Sequence, residues 1–264
     1  MGALQLDNFQ IGIAASGLLI TGALSVALQL GLARTLIVAA LRMIVQLALV
    51  SLLLGWAFSQ SSPWVVFGLL AVMGVFAAYE VRDRQKAPFM GAWSIGLGGV
   101  PMVGVGTLML CFTLTAVVGP DPWYSARYAI PLFGMLLGNS MTGVALALDQ
   151  ITRGARQRRA EVNDRLALGM TRTQAMLPLM RVAMSTGLMP IINSMAATGL
   201  VFLLGMMTGQ ILEGADPQNA VRYQIMIMFA IAGTVGLSLV LALWLSVIRL
   251  TDGRHRLRLD RLKE

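Results

Sequence analysis

The sequence predicts an all-α membrane protein that crosses the bilayer about seven times. Three observations carry this expectation. Hydrophobic residues fill 57% of the 264 positions and charged residues only 12%, with mean hydropathy +0.75, whereas a soluble domain of this length exposes far more charge. The apolar residues gather into runs close to the ~20 needed for a helix to span the hydrocarbon. Lipid offers the backbone no hydrogen-bond partners, so only helices or closed barrels cross it, and runs this long are not barrel strands.

The first run, 9–32, follows MGALQLDNFQ, which has Asp7 but no Lys or Arg. No A-x-A-like site closes it, so it reads as a retained span and not a cleaved signal. The second, 36–57, carries Arg42 and Gln46, four apart and therefore on one helix face. The third covers 63–80. The fourth, 91–118, is long enough to tilt or break; its Cys111, the lone cysteine, reads as a small packing residue. The fifth, 127–150, contains GMLLGNSMTGVALALDQ, with Asn139, Ser140 and Thr142 in the span and Asp149 and Gln150 closing it. The sixth, 183–209, places Asn193 and Ser194 after Pro190, whose missing N–H invites a kink. It ends in Met206, Met207 and Thr208, with Gln210 just beyond. A short Glu213–Asp216 turn leads to the seventh run, 222–248.

Charge placement sets an expected topology. With alternating spans and the N-terminus outside, the inner segments hold seventeen basic residues. They are Arg34, Arg82, Arg84, Lys86, Arg153, Arg156, Arg158, Arg159, Arg165, Arg172, Arg181, Arg249, Arg254, Arg256, Arg258, Arg261 and Lys263. Outside are only Arg127 and Arg222, among Asp7, Asp121, Glu213 and Asp216. The positive-inside rule accounts for this asymmetry with no nucleic-acid partner, so the net charge of +8 implies an N-out, C-in chain with a basic cytoplasmic tail, 249–264.

One inner segment is unlike the others. Residues 151–182, ITRGARQRRAEVNDRLALGMTRTQAMLPLMRV, are too long for a turn and have helical periodicity. Leu166, Leu168, Met170, Ala175, Met176 and Leu179 form a broken apolar face, and Gly169 followed by Thr171 reads as a helix stop and a new start. Two uses fit: an amphipathic helix lying against anionic headgroups, or a coupling helix, expected over 160–175, that docks on a soluble ATPase.

The chain carries no ATPase of its own, because a phosphate-cradling loop needs G-x-x-x-x-G-K-[ST] and neither Lys86 nor Lys263 sits in one. Intramembrane hydrolysis fares no better. The one histidine, His255, lies in the tail, leaving no base for a serine nucleophile and too few ligands for catalytic zinc. Asp149 is the single clear acid in a span, which rules out an aspartate dyad. A non-enzymatic role is expected, with no metal-ligating set assigned.

Polar side chains in lipid usually face a partner or a cavity. Ser140, Thr142 and Ser194 read as interhelical hydrogen-bonding groups, whereas Arg42, Asn139 and Asn193 are stronger candidates for a pathway. Arg42 is expected to be enclosed by protein, with Gln46 on its own face and Asp149 the spanning acid available to it. Gly134 and Gly138, extended by Thr142, and Gly205 and Gly209 form small-residue rows that permit close helix packing, either within the subunit or across a dimer. The eighteen methionines suit soft metals such as Cu(I), but gap-filling is their commoner use.

The stretch GLVFLLGMMTGQILEGADPQNAVRYQIMIMF (199–229) resembles the signature region of the FetB-like permeases of ABC transporters. These are bacterial iron-export permeases related to the membrane subunits of plant aluminium-tolerance transporters. The resemblance extends to PLFGMLLGNSMTGVALAL (131–148), to NDRLALGMTRTQA (163–175), and to Arg42 and Gln46 in LRMIVQLALV. The family commonly has proline at the position of Leu204. Residues 1–264 would then form one permease domain, a homodimer in the bacterial inner membrane.

The resemblance also implies a separate cytoplasmic ATPase that holds ATP and magnesium, with no cofactor in this chain. LALG (166–169) would belong to a coupling element like the EAA loop of permeases, with Glu161, Asp164, Leu166, Leu168, Gly169 and Thr171 as coupling residues. Arg42, Gln46, Asn139, Thr142, Asn193, Met206, Met207, Thr208 and Gln210 are the candidate path. Iron or another metal is the implied substrate. A chelated metal or a small organic molecule needs fewer direct ligands, and the resemblance to the plant relatives implies a nucleotide sugar as a further alternative. The rival class is a stand-alone secondary transporter or channel, against which stand the lack of an inverted repeat and a single membrane acid; a membrane scaffold that recruits a soluble partner is the third.

Overall fold

The computed structural model describes residues 7–59, 62–85, 87–199, 205–253 and 256–263. Seven helices in it are long and apolar enough to cross a membrane. The spanning segments are α1 (Asn8–Ala27), α2 (Ala33–Ser59), α3 (Pro63–Asp83), α4 (Trp93–Phe112), α5 (Ala126–Gln157), α7 (Arg172–Ala197) and α9 (Pro217–Leu250). Between them lie a short α6 (Arg159–Ala167) and α8 (Gly205–Leu212). The chain is a multi-pass, all-α membrane protein.

Contacts divide the chain into two units. In the first, α1 and α2 pack on one another and are grouped with Leu212–Gly214. Their side chains stay largely exposed, as with Leu19 at 66% and Leu52 at 74%. Surfaces this apolar are soluble only in hydrocarbon.

The second unit is a bundle built around α5, which packs on α3, α4, α7 and α9. Its inward faces bring Phe133, Leu136, Leu148 and Ile151 of α5 into a core with Met102 of α4 and Leu239 and Leu243 of α9, all essentially solvent-free. Glycine sets how closely the helices approach. A β-carbon on Gly143 of α5 would stand 2.7 Å from the Gly187 carbonyl oxygen of α7, and one on Gly187 would stand 2.7 Å from Leu239 Cδ2. On α4, a β-carbon at Gly98 would meet Val81 of α3 at 2.6 Å. The small-residue row expected at Gly134 and Gly138 is not the tight crossing: Gly138 has nothing within 4 Å of that position, and Gly134 meets only the end of Met73 at 3.4 Å. Gly209 likewise faces open space.

Several boundaries differ from expectation. The long fourth run, expected to tilt or break, continues as one span: α4 passes at Thr113 into a π-helical turn, Thr113–Val118, that ends at Gly119 with φ +60°. The sixth span, expected at 183–209, starts at Arg172 and stops at Ala197. Thr171 starts it with a full capping box, its hydroxyl accepting from the Gln174 N–H while the Gln174 side chain accepts from the Thr171 N–H. Extended backbone at Thr198 and φ +95° at Gly199 end it. Pro178 and Pro190 both sit inside it without ending it. Met206, Met207, Thr208 and Gln210 therefore belong to α8 and not to the sixth span. The seventh helix begins five residues before its expected start of 222, at Pro217, because Asp216 caps it by accepting from the Asn219 N–H at 3.0 Å. Lys86, Leu204, Arg254 and His255 lie outside the described residues.

Candidate functional site

Apart from Arg127 and Arg222, which lie in the opening turns of α5 and α9, the basic residues of the second unit gather where α3, α5 and α9 finish. There α5 continues for seven residues beyond the expected span limit at 150 and ends at Gln157. After Arg158, α6 runs to Ala167 and packs on both α5 and α7. The sequence explains its pose: Val162, 1% exposed, is the buried anchor, while Glu161 faces outward and pairs with Arg165 at 2.7 Å across one turn. Arg165 also donates to the Ala175 carbonyl at 3.4 Å, tying α6 to the first turn of α7.

The docking helix expected over 160–175 is thus two helices with a turn between them. The Leu168 N–H donates to the Asp164 carbonyl and the Gly169 N–H to the Leu166 carbonyl, and Gly169 reverses the chain at φ +85°. The turn holds Leu168 out: it is 80% exposed. Met170 beside it is exposed and Leu166 is half-buried. The rest of the expected apolar face turns the other way, for Ala175, Met176 and Leu179 are buried in the bundle. Of the coupling residues, Glu161, Asp164, Leu168, Gly169 and Thr171 are exposed on this one knuckle. Val162, which the sequence reading passed over, is the residue that seats it; its spacing from Leu166, four residues, was the available signal.

The described residues of the basic tail lie at the same end. Thr251 pairs with Leu257, and Leu262 pairs with Phe89 in the α3–α4 connection. The Met90 N–H donates to the Arg261 carbonyl and the Lys263 N–H to the Pro88 carbonyl, each at 2.9 Å. Arg156 at the end of α5 donates to the Lys263 carbonyl, and the Arg249 guanidinium stacks 4.9 Å from the Trp93 ring centre. Arg258 holds Asp260 with two hydrogen bonds, at 2.8 and 2.7 Å. Those bonds pull the Asp260 carboxyl down to about 2 and push the Arg258 guanidinium up.

The candidate path residues are distributed. Asn139 is exposed on α5 and donates to the Met135 carbonyl of its own helix at 2.9 Å. Thr142, half-buried three residues on, donates to the Gly138 carbonyl and accepts from Arg84 at 3.4 Å. Asp149 on the same stripe of α5 pairs with Arg153, and Arg84 reaches Glu80 at 3.7 Å. Asn139, Thr142, Asp149 and Arg153 lie on one face of α5, a polar stripe interrupted by Leu146. Asn193 is exposed on α7; in α8, Met207 is buried, Met206 and Thr208 are exposed and Gln210 is half-buried. In the other unit Gln46 is half-buried and Arg42 is exposed. Within its own unit α2 presents nearly all of its surface outward. Among the described residues no three His, Cys, Asp or Glu side chains come together.

Comparison with known proteins follows this geometry. Residues 8–250 match the model of an uncharacterised protein family, UPF0014. A UPF0014 membrane protein of Synechocystis is 38% identical over 81% of this chain and 82% of its own. The probable iron export permease protein FetB of Escherichia coli is 30% identical over 84% of each chain. Protein ALUMINUM SENSITIVE 3 of Arabidopsis thaliana is 31% identical over 84% of this chain and 79% of its own. No solved structure matches.

Proposed function

We propose, for a chain that belongs to the UPF0014 family of membrane proteins, the role of permease subunit in an ABC exporter of the bacterial inner membrane. The single observation that carries this reading is the exposed Leu168 on a rigid, capped knuckle. A leucine held 80% exposed with only Met170 as an exposed apolar neighbour on the turn is a poor headgroup ligand, since amphipathic membrane helices bury a continuous apolar face and here Ala175, Met176 and Leu179 have turned inward. It suits a groove on a soluble subunit.

Two copies of the permease would work with two copies of a separate ATPase that holds ATP and magnesium. Closure of the ATPase pair would push the knuckle, and α6, anchored by Val162 and Arg165, would pass that push to α5 and α7. The polar stripe of α5, from Asn139 to Arg153, then lines the access route, with the second copy as its other wall. The relative named as an iron export permease supports a metal as cargo. The absence of a three-ligand cluster among the described residues favours a metal carried as a complex, or a small organic molecule.

Leu168→Asp tests the reading. The variant should insert and dimerise normally yet lose ATPase copurification and transport together, because burying an unpaired charge at a contact costs several kcal/mol. Retained copurification, with membrane insertion impaired instead by Arg-to-Glu changes at Arg156, Arg158 and Arg159, would sink the coupling role and leave the headgroup-binding one.

A further inference from the structure

The groove between α4 and α9 has no part in the role just described. It has a volume of about 520 Å³, and its walls are Met109 and Phe112 of α4, Val117 of the π-helical turn, and Ile225 and Phe229 of α9. One charged residue, Arg222, stands among these apolar side chains. We propose that this groove binds a phospholipid, with the headgroup phosphate on Arg222 and an acyl chain along Met109, Phe112, Ile225 and Phe229.

Three features support a lipid over other occupants. Arg222 is exposed and lies in the second turn of α9, the end of a spanning helix, where the phosphate plane of a leaflet falls. A guanidinium takes a phosphodiester with two parallel N–H bonds. From Arg222, Ile225 and Phe229 follow at three- and four-residue steps, so the apolar trough runs from the charge along one face of α9 toward the membrane interior. At its deep end Met109 is pressed on α9, its Cε lying 3.1 Å from where a β-carbon on Gly233 would be. The π-helical turn supplies the opposite wall near the mouth, with its Thr113 hydroxyl already donating to the Met109 carbonyl at 2.8 Å. The result has a polar head and an apolar body, the shape of a lipid. The groove contributes one cation and no acid, so a net-negative headgroup is favoured over a zwitterionic one.

Native mass spectrometry of the full chain, released from vesicles of phosphatidylcholine doped with phosphatidylglycerol, tests this. The wild type should retain phosphatidylglycerol in preference to phosphatidylcholine. Arg222→Gln should weaken that retention about ten-fold, the loss of one charge-assisted hydrogen bond, and Arg222→Lys should restore part of it. Ile225→Trp, which fills the trough without touching the charge, should displace the lipid while far-UV dichroism stays unchanged. Retention unaffected by both variants overturns the proposal. So does equal competition by glycerophosphoglycerol, which would mark an anion site without a chain site. A change in oligomer mass with either variant would identify the groove as a contact between copies and equally overturn it.

Discussion

Gly143 of α5 and Gly187 of α7 meet backbone to backbone: a β-carbon on either would stand under 3 Å from the other's carbonyl oxygen. Neither chain segment can yield without moving a helix. Gly143→Ala should therefore destabilise the fold by about 1–3 kcal/mol, the usual cost of overpacking, read as a lower melting temperature in detergent. Gly138→Ala, five residues earlier on the same helix and facing open space, should melt like the wild type. Equal melting of the two variants would show that the crossing is looser than described.

Topology is open to labelling. The seventeen-to-two split of basic residues predicts that position 160 is cytoplasmic and position 216 is outside. In a Cys111→Ala background, Ala160→Cys and Asp216→Cys should react with impermeant maleimide from opposite faces of sealed vesicles. Reaction from the same face would reject the N-out arrangement.

The path can be tested by protection. With cysteine at Asn139, Asn193 or Met207, added substrate should slow modification by a water-soluble thiol reagent at all three positions. Asn139 and Asn193 are exposed in the single chain while Met207 is buried, so Met207→Cys should react slowest without substrate. Unchanged rates throughout would return these residues to a packing role.

Acid should act on the tail late. Asp260 is lowered to about 2 by the Arg258 hydrogen bonds, so its contribution to tail order is present above the ordinary aspartate range near 3.9. It is lost only as pH falls through the depressed value. Arg258→Gln should bring the Asp260 carboxyl resonance back to an ordinary midpoint, followed by NMR on selectively labelled protein. An unshifted midpoint would mean that the pair does not form in solution.

The seven spans and the stop at Gly169 were legible in the sequence because each rests on local chemistry: apolar run length, and a glycine before a cap. The length of the helices was not. Residues 172–182 hold Arg172, Arg181 and Pro178 and so read as part of the inner segment and not of the sixth span, yet Thr171 and Gln174 cap one continuous helix there whose Ala175, Met176 and Leu179 the bundle buries. Membrane thickness bounds the apolar part of a helix and not the helix. The expected glycine rows are not the close crossings within the chain, for a related reason. Spacing on one helix shows that a close approach is permitted, but Gly143 and Gly187 are tight only because they oppose each other, and that pairing is tertiary. Arg42 was expected to be enclosed from the cost of a charge in lipid, a cost that says nothing about which element does the enclosing.

The last residues of the chain are knitted to a much earlier connection: Leu262 to Phe89 and Lys263 to Pro88, more than 170 positions apart. During synthesis, the third and fourth helices leave the ribosome long before their partner exists. The α3–α4 connection therefore waits, unfastened, until residues 257–263 have been made and can fold back onto it. A product that stopped before them would leave that connection without its fastener.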